Sequence, residues 1–151
     1  MDQTFQLFSE CVLFRHLERR EIAALFTRVR IRDFAASETI FVIGSPADSM
    51  MIVLRGALQI SSASPVAILS PGDMFGEIAL LDGLPRSADA IAITDCSLAI
   101  VDRHDMLAFL EQNPGAWQVL REKRLQMPVE VRQQIELTET ALLHEERARM
   151  R

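Results

Sequence analysis

The chain has 151 residues, of which 49% are hydrophobic and 25% are charged, and 21 acids against 16 bases give it a net charge of −5. This length suits one domain with a sizeable core and excludes a second folded domain of ordinary size. The acidic balance argues against a broad nucleic-acid-binding surface, which needs clustered bases.

The metal-ligating residue types are scattered along the chain. Cys11 and Cys96 have neither the spacing of a metal site nor that of a redox motif, and we expect both to be buried thiols in a reducing compartment. His16, His104 and His144 are equally dispersed, so no metal site is expected. The sequence opens without a signal-peptide pattern or a long apolar run, and it therefore predicts a cytoplasmic domain that does not insert into a membrane.

Two helical patterns come first in the chain. Residues 4–14 predict an irregular helical lead-in, and Ile22, Leu25 and Val29 follow the spacing of a helix with one apolar face. We expect this N-terminal helical segment, residues 1–28, to pack against the rest of the domain.

From residue 29 the hydrophobic period changes to two, and turn residues recur at short intervals. One predicted strand ends at residue 34. The others span residues 39–43, 50–54, 57–61, 66–69, 89–93 and 97–101. Short strands separated by such turns predict a closed or double-sheet β-barrel over residues 29–101. Periodicity alone does not distinguish the small barrel types from one another.

Residues 75–90 interrupt the strands with a segment suited to anion binding. Gly76 has no Cβ, so an anion can approach the backbone amides of Ile78 and Ala79. These amides start a short apolar helical turn and present unpaired N–H groups with partial positive charge.

Two charged side chains in the same segment suit the two ends of a sugar phosphate. The planar guanidinium of Arg86 can donate to two phosphate oxygens at once. Glu77 accepts hydrogen bonds when ionised, so its carboxylate suits a sugar hydroxyl and repels a phosphate. The segment therefore predicts a site for a small anionic sugar phosphate.

Residues 102–151 predict C-terminal helices. Asp102 is a candidate N-cap for a helix over residues 103–111, with Met106, Leu107 and Leu110 on its inward face.

Further helices are predicted beyond this one. Pro114 starts a helix that runs to about residue 127, and Pro128 breaks it. A last helix over residues 129–147 has about two heptads of apolar spacing, which gives weak support for self-association.

The runs Phe-Gly-Glu-Ile-Ala-Leu at 75–80 and Pro-Arg-Ser-Ala at 85–88 resemble the phosphate-binding cassette of cyclic nucleotide-binding domains. Such domains occur in the catabolite activator protein family, protein kinase A regulatory subunits and cyclic-nucleotide-gated channels. The resemblance continues at 46–49 and 71–73 and covers roughly residues 8–123. It implies an α+β, mainly β fold: a double-stranded β-helix or jelly-roll barrel between N-terminal helices and C-terminal lid helices.

The resemblance also implies roles for the cassette residues. Glu77 would bond the ribose 2′-hydroxyl, Arg86 would bind the cyclic phosphate, and the amides of Ile78, Ala79 and Ser87 would complete the anion-binding turn. The Ser87 hydroxyl would touch the phosphate or a syn guanine, so it fits either purine.

Two further residues depend on the same resemblance. Arg121 matches a base-capping arginine of short bacterial channel domains; the alternative is a solvated helix arginine paired with Glu122 or another neighbour. Asp89 stands where the resemblance implies threonine, and strand alternation from Arg86 puts it on the opposite face.

The resulting hypothesis is a regulatory cyclic-nucleotide sensor, not an enzyme, because no catalytic motif is present. Cyclic AMP (cAMP) is preferred and cyclic GMP (cGMP) also fits. The ligand would couple to movement of the C-terminal helices, through which a homodimer or a downstream effector would form.

Three alternatives remain open. One is the ligand-binding part of an activator-type transcription regulator without its DNA-binding module, which leaves no nucleic-acid contact through this chain. Another is a ligand-free interaction scaffold in which Glu77 and Arg86 pair with each other. A haem or iron–sulfur sensor is disfavoured by the scattered cysteines.

Overall fold

The structure is a computed structural model that describes residues 3–61, 67–77 and 83–125. Within these residues the helices are α1 (Gln3–Ser9), a short 3-10 helix (Val12–Phe14), α2 (Arg19–Phe26), α3 (Arg103–Gln112) and α4 (Pro114–Leu125). The strands are β1 (Arg30–Phe34), β2 (Thr39–Phe41), β3 (Ser49–Arg55), β4 (Leu58–Ser61), β5 (Ala67–Leu69), β6 (Met74–Phe75), β7 (Asp89–Ala92) and β8 (Cys96–Asp102). The predicted α+β, mainly β fold with helices at both ends is confirmed.

The strands form two antiparallel sheets of four strands each. One sheet has the order β1-β8-β3-β6, and the other has the order β2-β7-β4-β5. Apolar side chains from both sheets form one buried cluster, which includes Phe34, Met51, Val53, Leu58, Phe75, Leu98 and Ile100. The alternation predicted from the sequence therefore corresponds to an inner face shared by the two sheets.

A second buried cluster lies on the other side of β3. Met50, Ile52 and Leu54 pack there against the N-terminal helices and against α3 and α4. Met51 and Val53 point to the inter-sheet cluster instead. The strand is covered on both faces, which explains why residues 50–54 are continuously apolar rather than alternating.

Three strands near the cassette differ from the sequence expectation. The two-residue strand β6 was not predicted; it pairs with β3 through Met51↔Phe75 and Ile52↔Met74. Strand β2 ends at Phe41 rather than at residue 43, and β7 begins at Asp89 as predicted but ends at Ala92 rather than at residue 93. Because β6 ends at residue 75, the turn at residue 76 lies beside the start of β3.

One expectation about α3 is wrong. Leu107 is 39% exposed, whereas Phe109 is buried with Met106 and Leu110. The inward face thus follows the i, i+3, i+4 spacing from residue 106, and residue 107 is turned away by one helical step.

Asp102 has the extended backbone of an N-cap, but its side chain makes no capping hydrogen bond. Its carboxylate instead accepts a hydrogen bond from Arg30 Nη2 at 2.7 Å. This ion pair joins the end of β8 to the start of β1.

The remaining helical predictions are met in part. The helix that starts at Pro114 is described as far as Leu125, while the break at Pro128 and the helix over residues 129–147 lie outside the described residues.

Cys11 and Cys96 are buried and form no disulfide, as predicted. Across the described ranges, none of the helices combines the length and apolar character that a bilayer crossing requires.

Candidate functional site

The backbone of Arg86 is fixed by the loop between β2 and β3. The Arg86 N–H donates to the carbonyl oxygen of Ser45 at 2.8 Å, and the Gly44 N–H donates to the carbonyl oxygen of Arg86 at 2.8 Å. The side chain turns inward and is only 2% exposed. Arg86 lies three residues before β7, and the contacts of its backbone therefore direct its guanidinium into the barrel.

Backbone and hydroxyl oxygens surround this guanidinium. Nη2 of Arg86 donates to the carbonyl oxygen of Ser49 at 2.7 Å and to its hydroxyl oxygen at 3.3 Å. Nη1 donates to the carbonyl oxygen of Gly76 at 3.2 Å. The Nε–H of Arg86 is buried and has no hydrogen-bond partner among the described residues.

An aromatic ring lies against the guanidinium. The Cζ atom of Arg86 is 4.4 Å from the ring centroid of Phe41, within the range of a cation–π contact. The Phe41 ring also contacts Phe75, at 5.9 Å between centroids. We refer to Arg86, Phe41, Ser49, Gly76 and Glu77 together as the Arg86 site.

Gly76 allows the close approach of the arginine. Its φ is +82°, a backbone conformation that favours glycine. A Cβ at this position would lie 2.5 Å from Nη1 of Arg86. The guanidinium of Arg86 takes the space on the Cβ side of Gly76, and a role of Gly76 toward an anion stays a prediction.

Burial and two carboxylates act on the pKa of Arg86. Burial lowers the pKa of Arg86 from its ordinary value, and the carboxylates of Asp48 and Glu77 act in the opposite direction. Arginine nevertheless remains protonated in proteins. Glu77 is also buried, at 5% exposure. The barrel therefore holds a buried cation close to a buried carboxyl group.

The donor count indicates what this arrangement can bind. A guanidinium has five N–H donors, and the described bonds of Arg86 run to Ser49 and Gly76. A buried donor without a partner costs about 1–3 kcal/mol, whereas a bond to a charged acceptor is stabilising. The Nε–H of Arg86 thus favours an anionic ligand.

The other predicted ligand residues are placed only in part. Ile78 and Ala79 lie outside the described residues. Ser87 is partly exposed, whereas Arg86 and Ala88 on either side of it are buried. The role of Ser87 therefore remains a prediction.

The carboxylate of Asp89 binds the backbone of the loop after β2. Its Oδ1 accepts a hydrogen bond from the Ile43 N–H at 2.7 Å.

Arg121 lies on the exposed surface of α4, where its guanidinium is 5.3 Å from the ring centroid of Trp117. The described part of α4 packs against α3 and the 3-10 helix. An exposed helix arginine in contact with a neighbour, Trp117, agrees with the predicted alternative, although the neighbour is not Glu122. The base-capping role of Arg121 stays a prediction.

Sequence reasoning missed Phe41 and Ser49. Phe41 has the strand pattern of a core residue, and nothing in that pattern indicates a cation beside it. The main partner offered by Ser49 is its backbone carbonyl, which every residue has. The resemblance at residues 46–49 was the one signal near Ser49.

Within the part of the chain that the structure describes, no three His, Cys, Asp or Glu side chains come together as metal ligands would.

The two-sheet β-barrel, the glycine turn and the buried arginine form a site whose chemistry suits a small anion. The family description "Cyclic nucleotide-binding domain" matches residues 31–113, which is more than half of the chain. The chain belongs to this family.

Known relatives include regulators and channels. The chain is 32% identical over 124 residues to a cyclic nucleotide-gated potassium channel of Mesorhizobium japonicum, covering 82% of this chain and 35% of the channel. It is 29% identical over 115 residues to a CRP-like cAMP-activated global transcriptional regulator of Mycobacterium tuberculosis, covering 72% of this chain and 51% of the regulator. The chain thus spans about half or less of these relatives.

Solved structures share the fold. The catabolite activator protein of Thermus thermophilus superposes with a TM-score of 0.68 at 28% identity, covering 83% of this chain and 62% of that one. The regulatory domain of Toxoplasma gondii PKA, crystallised with cAMP, gives a TM-score of 0.73 at 22% identity, covering 82% of this chain and 49% of that one. These likenesses confirm the jelly-roll type of barrel.

Proposed function

We propose that this chain is a regulatory sensor domain that binds a cyclic nucleotide, with cAMP preferred and cGMP also accepted. The observation that supports this most directly is the buried guanidinium of Arg86, whose Nε–H has no partner among the described residues. A cyclic phosphodiester carries one negative charge, which matches a single buried cation. The names of the relatives, which include a cAMP-activated regulator, support the same ligand class.

In this proposal each end of the ligand has its own partner. Arg86 binds the cyclic phosphate, and Glu77 accepts a hydrogen bond from the ribose 2′-hydroxyl. The amides of Ile78, Ala79 and Ser87 complete the phosphate contacts, with Gly76 admitting the ligand to the turn. Arg121 covers the base when the C-terminal helices close.

One contact joins the cassette to the C-terminal helices. The guanidinium of Arg103, the first residue of α3, lies so near Gly83 that a Cβ there would be 3.1 Å from its Nη2. The Arg103 N–H also donates to the carbonyl oxygen of Asp48 at 2.9 Å. Ligand binding that orders the cassette would therefore act directly on the start of α3.

The signal follows as a shift in population. A ligand that binds better when the helices are closed favours the closed arrangement by its difference in affinity. The sensor would pass this change to a homodimer partner or a downstream effector, in the cytoplasm and without catalysis of its own. The buried thiols of Cys11 and Cys96 suit a reducing compartment.

Thermal unfolding in the presence of four ligands tests the proposal: cAMP, cGMP, cyclic di-GMP and 5′-AMP. A ligand that binds only the folded protein stabilises it by about 2.7 kcal/mol at a hundred times its Kd. We expect cAMP to raise the Tm most, cGMP to raise it less, and the other two to leave it unchanged. No shift with any of the four would instead support the ligand-free scaffold.

A further inference from the structure

We propose that Phe41 is a positioning residue of the anion site: its ring holds the Arg86 guanidinium in the orientation that an anionic ligand needs. This inference rests on the proposed function, because it concerns how the same arginine binds the phosphate.

The ring and the guanidinium are held by different parts of the chain. Phe41 ends β2, where it pairs with Ala90 of β7, and its ring contacts Phe75 at the end of β6. Arg86 is fixed by the loop at residues 44–45. The ring is therefore anchored in the inter-sheet cluster independently of the arginine that it contacts.

The contacts of the guanidinium are divided between the ring and the oxygens. Phe41 lies 4.4 Å from Cζ, and the oxygens of Ser49 and Gly76 accept from the two terminal nitrogens. Together they restrict the rotation of a long side chain that would otherwise have several rotamers. The unpartnered Nε–H then has a fixed direction.

An aromatic ring has an advantage over a carboxylate at this position. A carboxylate beside the guanidinium would accept its N–H donors and compete with an anionic ligand for them. A ring attracts the cation through its quadrupole and leaves the donors available. An aliphatic side chain would fill the same volume without that attraction.

The test compares the Kd for cAMP of wild type with that of Phe41→Leu and Phe41→Tyr by calorimetry. We expect about a tenfold weaker Kd for Phe41→Leu, the size of a desolvated cation–π contact, and near wild-type binding for Phe41→Tyr, which keeps the ring. Phe41→Met replaces the leucine variant if that variant does not fold.

A matched control is available in the same cluster. Phe34 is buried at 3% exposure, and its ring lies 4.5 Å from Cζ of Arg32, at the strand end that pairs with Cys96. Phe34→Leu should lower the Tm as Phe41→Leu does, because both variants lose ring packing in the same cluster. It should leave the Kd for cAMP within about twofold, because the Phe34 ring contacts Arg32 and not Arg86.

The outcomes separate this inference from the proposed function. If wild type binds cAMP and Phe41→Leu binds it equally well, the positioning role is overturned and the proposed function stands. If wild type binds no cyclic nucleotide, the proposed function fails, and a double-mutant cycle of Phe41→Leu with Arg86→Met in thermal unfolding decides the inference. Additive Tm changes would overturn it, and non-additive changes would support it.

Discussion

Nη2 of Arg86 donates to the carbonyl oxygen of Ser49 at 2.7 Å, and the Ser49 hydroxyl oxygen lies 3.3 Å from the same nitrogen. This relationship links the cassette to the first residue of β3, 37 positions earlier in the chain. The shorter bond uses the backbone, which no substitution removes. The hydroxyl contact can be removed separately.

Ser49→Ala is therefore expected to have a modest effect. Loss of the long hydroxyl contact should lower the free energy of unfolding by about 1 kcal/mol, because the carbonyl bond remains. Urea unfolding measures this change, with Ser9→Ala, which removes the hydroxyl that donates to the carbonyl oxygen of Gln6 in α1, as a comparison far from the arginine. A loss above roughly 3 kcal/mol would mean that the hydroxyl, not the carbonyl, holds the guanidinium.

Glu77→Gln tests the ribose contact. Wild type should bind 2′-deoxy-cAMP more weakly than cAMP, because the carboxylate then lacks its hydroxyl donor. In the variant the same comparison should show a much smaller difference, since the charged acceptor is already gone. Calorimetric Kd values for both ligands measure this. Equal losses in wild type and variant would refute the assigned role.

Arg103→Ala tests the coupling to the helices. We expect the Kd for cAMP to change by less than about threefold, because the proposed ligand contacts do not include Arg103. The ligand-induced change in the fluorescence of Trp117, the single tryptophan of the chain, should shrink. Arg28→Ala, which removes an exposed arginine after α2, serves as the control. An unchanged fluorescence response in Arg103→Ala would argue against this route of coupling.

The buried thiol of Cys96 gives a prediction about pH. Burial, followed by the carboxylates of Glu38, Asp33 and Asp95, raises the pKa of this thiol. The folded protein then holds the proton more tightly than the unfolded chain, whose thiol has a pKa of about 8.5. The contribution of this thiol to the free energy of unfolding is complete below a pH of about 8.5 and is lost as the pH rises through the raised pKa of the folded protein.

Urea unfolding at pH 7 and at pH 9.5 measures this effect. Wild type should lose more free energy of unfolding between the two conditions than Cys96→Ala, which has no thiol at this position. The chain contains no tyrosine, which removes one other group that titrates in alkaline solution. Identical losses in both proteins would contradict the raised pKa.

Much of the fold follows from the sequence because hydrophobic period and turn residues are local signals. The strand that contains Met50–Leu54 in its continuous apolar run was predicted, but its two buried faces became clear only from the packing of the helices. Leu107 was misassigned because a neighbouring apolar residue does not by itself define the buried face of a helix. Asp102 stands at the predicted N-cap position of α3, but its carboxylate binds a distant residue, Arg30, instead of capping the helix.

The candidate site was likewise predicted only in part. The arginine and the glycine were identifiable from the cassette, because both have chemistry that a phosphate needs. Phe41 and the carbonyl oxygen of Ser49 were not, since the first has a core pattern and the second belongs to the backbone. Contacts that depend on the meeting of distant segments leave no local signal in the sequence.

The most direct test of the central claim is calorimetric titration of cAMP into Arg86→Ala and Arg86→Lys, with Arg32→Ala, an exposed arginine of β1, as the control. Circular dichroism first establishes that each variant is folded. We predict that Arg86→Ala loses roughly 2–4 kcal/mol of binding free energy, the cost of removing one partner of a buried charge pair. Arg86→Lys should lose less, because it keeps the charge without the two-pronged geometry. Affinity in folded Arg86→Ala equal to that of wild type would contradict the account.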